Sequence, residues 1–150
     1  MAKAIELSME NVRSGRGGPF AAIVVKDGKV VGQGTNLVTS SKDPTAHAEI
    51  VAIREACRHL NDFQLAGCEI YTTCEPCPMC MAAIYWARPA KVYFASTTED
   101  AAKFGFDDGL IGEQLRLSRQ HRKIPMAQLM RQEALQAFSL WQQSPDKIEY

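Results

Sequence analysis

The sequence has no surplus of charge of either sign: 17 Lys and Arg balance 17 Asp and Glu. No global positive field is therefore available to gather nucleic acid or an anionic membrane. Arg116, Arg119, Arg122, Lys123 and Arg131 do cluster late in the chain. They read either as a local basic patch or as a solvated helical face. Long apolar runs are also missing. None reaches the roughly 20 residues of a membrane span. The opening Met-Ala-Lys-Ala-Ile-Glu-Leu has no apolar core of signal-peptide length. A cytoplasmic protein is expected, with no membrane partner and no nucleic acid. Cysteines number only five. An odd count without a secretion signal argues against a disulfide framework. Three of them crowd into Cys74–Cys80, and clustered thiols in a reducing compartment are more often ligands or nucleophiles. No repeat, linker or low-complexity segment appears. The 150 residues fit one domain, 1–150, with a real core.

Hydrophobic periodicity places a short helix over Ala2 to Val12, broken by Ser14 to Pro19. Phe20 to Lys26 and Lys29 to Thr35 read as strands. Asp27-Gly28 between them is a strong signal for a two-residue hairpin. A loop covers Asn36 to Lys42. Asp43-Pro44-Thr45 reads as a helix start, with Ile50, Ile53, Cys57 and Leu60 as its stripe. Cys68 to Thr73 reads as a buried strand. A second helix starts at Pro76 to Pro78 and stops near Arg88-Pro89. Lys91 to Ala95 is a strand, Glu99 to Phe104 a short helix, and Gly105 to Gly109 a loop. Met126 to Trp141 carries helical spacing, and part of Ile124 to Met130 could instead form an edge strand. The order αββαβαβα implies an α/β protein with helices on both faces of a central sheet. In such sheets, sites gather at strand ends and helix starts.

The two chemical motifs sit at those helix starts. A catalytic zinc site uses three protein ligands and keeps a fourth position for water. Cys77 and Cys80 are three residues apart, so one helical turn places them on one face. The helix N-terminus favours their thiolates. His47, in the first turn of the earlier helix, closes a third corner. Glu49 can then take a proton from the water and hand it to a substrate nitrogen. A bound metal lowers the water pKa toward roughly 7. Ligand softness and a hydrolytic role favour Zn2+, one per subunit. With Cys74 as a fourth ligand the site would instead be closed and structural, leaving Glu49 without a task. Cys74 also reads as a small buried residue ending a strand. A redox Cys-x-x-Cys would need neither His47 nor Glu49. Cys57 and Cys68 read as core.

His-Ala-Glu followed by Pro-Cys-Pro-Met-Cys resembles the zinc nucleobase deaminases of the cytidine deaminase superfamily. Further segments resemble one branch, the bacterial guanine deaminases. They are Gly17-Gly-Pro-Phe20, Asp43 to Glu49, Cys74 to Cys80, Ala83 to Pro89, Gly105 to Asp108 and the terminal Glu149-Tyr150. This resemblance implies a three-layer α/β/α sandwich around a mixed sheet of about five strands. It implies hydrolysis of guanine to xanthine and ammonia, and a homodimer exchanging its C-terminal segment, about 115–150. Asn36 and Asp108 would contact the purine, and the Ala48 N–H would hold substrate or developing charge. A carboxylate at Asp108 suits the N1–H and 2-amino donors of guanine. Tyr150 would close the pocket across the exchanged interface. Trp86 and Phe20 read as walls for a flat ring or as plain core aromatics. Glu113 reads as a second carboxylate relaying protons or as a surface residue. A tRNA adenosine deaminase, or a deaminase of another small amino-heterocycle, shares the zinc motif. The zero net charge and the Phe-Asp-Asp loop favour the small purine.

Overall fold

The computed structural model describes residues 1–150. The chain divides into two compact units, Met1–Gly109 and Leu110–Tyr150. Elements run in the order α1 (Ala2–Arg13), β1 (Ala21–Lys26), β2 (Lys29–Thr35), α2 (Val38–Ser41), α3 (Ala48–Leu60), β3 (Glu69–Cys74) and α4 (Pro78–Ala87). They continue with β4 (Lys91–Ser96), α5 (Thr98–Lys103), α6 (Gly109–Arg116), a 3-10 turn at Arg119–His121, and α7 (Arg131–Gln143). No helix is long and apolar enough to cross a membrane.

The sheet order is β2-β1-β3-β4. The β1 strand pairs antiparallel with β2 and with β3, while β3 and β4 run parallel. The expected mixed sheet is therefore present with four strands, not about five. Ile124–Met130 forms no strand. An apolar pattern alone cannot make one, because a strand is held by a ladder partner. Between β1 and β2 the hairpin turns on Asp27 (φ 49°) and Gly28 (φ 74°). Both residues are left-handed, as a two-residue turn of this twist requires.

Alternation along β1 and β3 splits the core into two faces. Ala22, Val24 and Ile70 join Ala48, Ala52, Ala56 and Ile84 in one buried cluster between sheet and α3/α4. The other face of β1 meets α1, whose buried residues are Ala4, Ser8 and Asn11. Helix, sheet and helix thus make three layers. Val24, Leu65 and Ile70 are fully buried, each stabilising the fold by about 1.5–3 kcal/mol relative to exposure.

The stripe expected on α3 meets the core, with Ile50 buried and Ile53, Cys57 and Leu60 half-buried, but its centre is a row of alanines. Ala48, Ala52 and Ala56 face the core, and Ile53, Cys57 and Leu60 pack on their flank. The reason lies on β2. A Cβ at Gly32 would stand 2.6 Å from the Ala52 carbonyl oxygen, and one at Gly34 would overlap the Ala48 carbonyl. Strand and helix approach too closely for large side chains. That contact fixes the height of the start of α3, where the site begins.

In the second unit, α6 and α7 carry apolar side chains that this unit leaves exposed. Phe138 is 69% exposed, and Leu115, Leu140 and Trp141 are also exposed. The α6 helix falls partly within a stretch for which the sequence reading offers no element.

Candidate metal centre and active site

Both ligand-bearing helices start on a ligand. His47 is the N-cap of α3 with extended backbone (φ −69°, ψ 154°), and Cys77 is the N-cap of α4 (φ −61°, ψ 166°). This corrects the expected start at Asp43 and the placing of His47 in the first turn. Asp43 does accept from the Thr45 N–H (2.8 Å) and hydroxyl (2.7 Å). That Asx turn ends before the helix, which begins at Ala48. Pro78 holds the first position of α4, where its missing N–H costs nothing. Cys80 follows on the first turn.

The ligand atoms of His47, Cys77 and Cys80 lie within 4.8 Å of one another. Cys77 Sγ is 3.6 Å from His47 Nδ1. Bond lengths of roughly 2.1 Å for Zn–N and 2.3 Å for Zn–S at a tetrahedral angle give a nitrogen–sulfur edge of about 3.6 Å. The separation present is thus that of a coordination edge. The donors, one imidazole and two thiols, are those zinc prefers. Cys77 is held as a thiolate, its pKa lowered to about 4 by hydrogen bonds from Cys80 and His47. Cys80 is pushed well above the usual thiol range because it keeps its proton, donating a hydrogen bond to Cys77, and is buried. His47 is raised by its bond to Cys77. Cys74 is turned away. Its thiol donates to the Thr97 carbonyl at 3.5 Å, outside the three-ligand group.

Glu49 is buried, 6% exposed, in the first turn of α3. Thr72 on β3 donates to its Oε1 at 3.4 Å, and the Cys80 thiol donates to its Oε2 at 3.5 Å. Burial pushes its carboxyl above the ordinary range, and the negative charge of Cys77 adds to this. A buried carboxyl that holds and releases a proton beside a metal-ligand group is placed for general acid–base work.

The other sequence candidates fall into two groups. Asp108 is half-buried, and its carboxyl is raised by burial and then by the charge of Cys77. Its own charge in turn helps raise His47. It therefore stands within electrostatic reach of the ligands. Asn36 follows β2, its Oδ1 accepting from the Val38 N–H at 3.3 Å. Ala48 takes the first position of α3, where a helix leaves its N–H without an intrahelical acceptor. Phe20 is half-buried and meets Phe106 edge-to-face, ring centroids 4.9 Å apart. Trp86 is largely exposed on α4. Glu113 and Tyr150 belong to the second unit, and both side chains are exposed there. Thr72, Phe106 and Asn11 are contacts the sequence reading lacks. A threonine in a strand carries no motif that marks it, and Phe106, though part of the Phe-Asp-Asp segment, has no assigned contact there.

Residues 1–96 match the family described as the cytidine and deoxycytidylate deaminase zinc-binding region. With the three-layer fold and the His-Cys-Cys group, this defines a zinc-binding deaminase, and the chain belongs to that family. Within it, the chain belongs with the guanine deaminases. Guanine deaminase of Bacillus subtilis (strain 168) is 49% identical over 148 residues, covering 99% of this chain and 95% of that one. Its X-ray structure superposes with a TM-score of 0.97 at 48% identity, again over 99% and 95% of the two chains. A structure solved in complex with 2,6-diaminopurine matches with a TM-score of 0.69 at 34% identity, over 71% of this chain and 60% of that one. A tRNA-specific adenosine deaminase of Aquifex aeolicus (strain VF5) is 51% identical over only 78 residues, 52% of each chain.

Proposed function

We propose that this chain hydrolyses guanine to xanthine and ammonia. The observation that carries this reading is the near full-length identity to guanine deaminase, joined to a three-ligand group with Glu49 beside it. The tRNA deaminase likeness stops at about half of either chain. It therefore reflects the shared metal motif.

His47, Cys77 and Cys80 hold zinc, which when bound acidifies water to a pKa of roughly 7. Glu49 carries the protons. Its buried carboxyl, anchored at Oε1 by Thr72, takes a proton from the attacking water and passes it to a ring nitrogen, then takes the remaining hydroxyl proton and passes it to the departing amine. Asp108 reads the donor edge of guanine, N1–H and the 2-amino group, as a carboxylate acceptor. Asn36 commits Oδ1 to the Val38 N–H, so its Nδ2 donors are the ones presented to purine acceptors. The Ala48 N–H, at a helix N-terminus, holds developing negative charge. Phe20 and Trp86 bracket the flat ring.

The working unit is a homodimer in the cytoplasm. Exposed apolar residues on α6 and α7 need a cover, and a second copy of the chain supplies it. Residues about 115–150 are exchanged, so Tyr150 closes the partner's pocket, while Glu113, ahead of the exchanged segment, relays protons in the pocket of its own chain. Residues 1–150 thus act as one catalytic domain completed by its partner. The five free cysteines suit a reducing compartment.

The test is ammonia release from guanine, adenine, cytosine, their nucleosides and tRNA, with metal content measured on the same sample. Guanine is expected to be the best substrate. Turnover of tRNA without turnover of guanine overturns this reading.

A further inference from the structure

We infer that Asn11 is a positioning residue for purine binding, setting the separation of Asn36 and the Phe20 ring. The inference rests on the guanine deaminase reading above. Asn11 lies on the inner face of α1 and is completely buried. Its Nδ2 spends both hydrogens on backbone carbonyls from two different loops. One goes to Gly18 at 3.0 Å and the other to Asn36 at 2.9 Å. Its Oδ1 has no hydrogen-bond partner. A buried acceptor without a partner is destabilising; an apolar side chain of the same size would avoid it but would take a donor from the Asn36 carbonyl. The amide is present for its donors rather than for its oxygen. What the amide supplies is a pair of donors in fixed geometry.

The two carbonyls it holds belong to the frame of the proposed purine contacts. Gly18 O also accepts from the Phe20 N–H at 2.9 Å, and Phe20 O accepts from the Asn36 N–H at 3.0 Å. Asn11, Gly18, Phe20 and Asn36 thus close a ring of hydrogen bonds. Both peptide groups of Asn36 are fixed, one through Phe20 and one through Asn11. The Asn36 side chain is then locked by its own bond to the Val38 N–H. Gly17 marks how tight the arrangement is, because a Cβ there would overlap the Asn36 carbonyl oxygen. The same Cβ would sit 3.3 Å from Asn11 Nδ2. Asn11 touches no substrate in this reading. It acts through the backbone of Asn36 directly and of Phe20 by way of Gly18.

The test compares Asn11→Leu with the wild-type enzyme. The replacement keeps the bulk and removes both donors. The KM for guanine is expected to rise about tenfold, as loss of two positioning hydrogen bonds implies. Zinc content stays full and kcat changes less than threefold. Exchange of the Asn36 amide proton accelerates in the same variant. Because Asn11→Leu could fold poorly, Gly17→Ala provides a second disturbance of the same carbonyl from the opposite side. It is expected to shift KM in the same direction while both donors remain in the side chain. A folded, zinc-loaded Asn11→Leu or Gly17→Ala with wild-type KM overturns the inference. Should wild-type enzyme fail on guanine, the function reading fails separately. The KM comparison then runs on whichever substrate of the panel is turned over.

Discussion

The thiol of Cys80 on α4 lies 3.5 Å from Oε2 of Glu49 on α3. Metal ligand and proton carrier are therefore direct neighbours across two helices. Thr72 on β3 takes the other carboxylate oxygen at 3.4 Å. Three elements converge on one carboxyl group, and its orientation does not depend on any single loop.

That convergence makes Glu49→Gln an informative change. The amide keeps the shape and removes the proton carrier. Turnover of guanine is expected to fall by about 10²–10⁴, the range for loss of a general acid–base group. Zinc content stays full, because no ligand is lost. A glutamine variant with near wild-type kcat would remove Glu49 from the proton path. Thr72→Val should cost far less, since it removes one hydrogen bond to the carboxyl and leaves the proton carrier in place.

Removal of the metal should abolish turnover and lower the melting temperature. A ligand that binds only the folded state stabilises it by mass action. His47, Cys77 and Cys80 link the starts of α3 and α4, so both helices lose a tie. Chelation followed by calorimetry and activity assay measures both effects, and added zinc should restore them. Full activity in protein shown to be metal-free would exclude a catalytic metal.

Asp108→Ala should weaken guanine use and relax selectivity. A hydrogen bond to a charged group contributes about 1.5–3 kcal/mol, so kcat/KM for guanine should drop by ten- to a hundredfold. Purines without the N1–H and 2-amino donors should be affected less. Equal losses for all purines would assign Asp108 a structural role.

A dimer of the 16.6 kDa chain should appear in sedimentation at working concentrations. Phe138→Asp places a charge on the apolar face of α7, where Phe138 is exposed in the single chain. It should shift the population toward monomer and lower guanine turnover together. Deleting Glu149 and Tyr150 should lower turnover while the dimer persists. A stable, fully active monomer would refute the exchange.

Gly32→Ala tests the strand–helix contact beneath the site. Its Cβ would press on the Ala52 carbonyl at 2.6 Å. Overpacking of this kind costs about 1–3 kcal/mol, readable as a lower denaturant midpoint. Gly112→Ala is the control, since a Cβ there meets nothing within 4 Å. In α6 it should be neutral or slightly stabilising.

Much of the chemistry was legible in the chain itself. His47, Cys77 and Cys80 carry their meaning in residue type and spacing, because zinc chemistry limits which side chains can serve. The hairpin at Asp27-Gly28 was equally legible, since few residue pairs accept two left-handed conformations. The order of strands and helices fixed an α/β sandwich.

Tertiary packing decided the rest. The centre of the α3 stripe is a row of alanines with the isoleucines beside them, because Gly32 and Gly34 bring β2 close. Helix α3 starts at Ala48 because the Asp43 side chain ties off a separate turn. Ile124–Met130 forms no strand, because a ladder needs a second chain segment that periodicity cannot supply. Asn11 was silent in the sequence, since its role depends on carbonyls brought to it from Gly18 and from Asn36. A residue's own chemistry is local and can be read in order along the chain. A contact between residues distant in sequence exists only once the fold has brought them together.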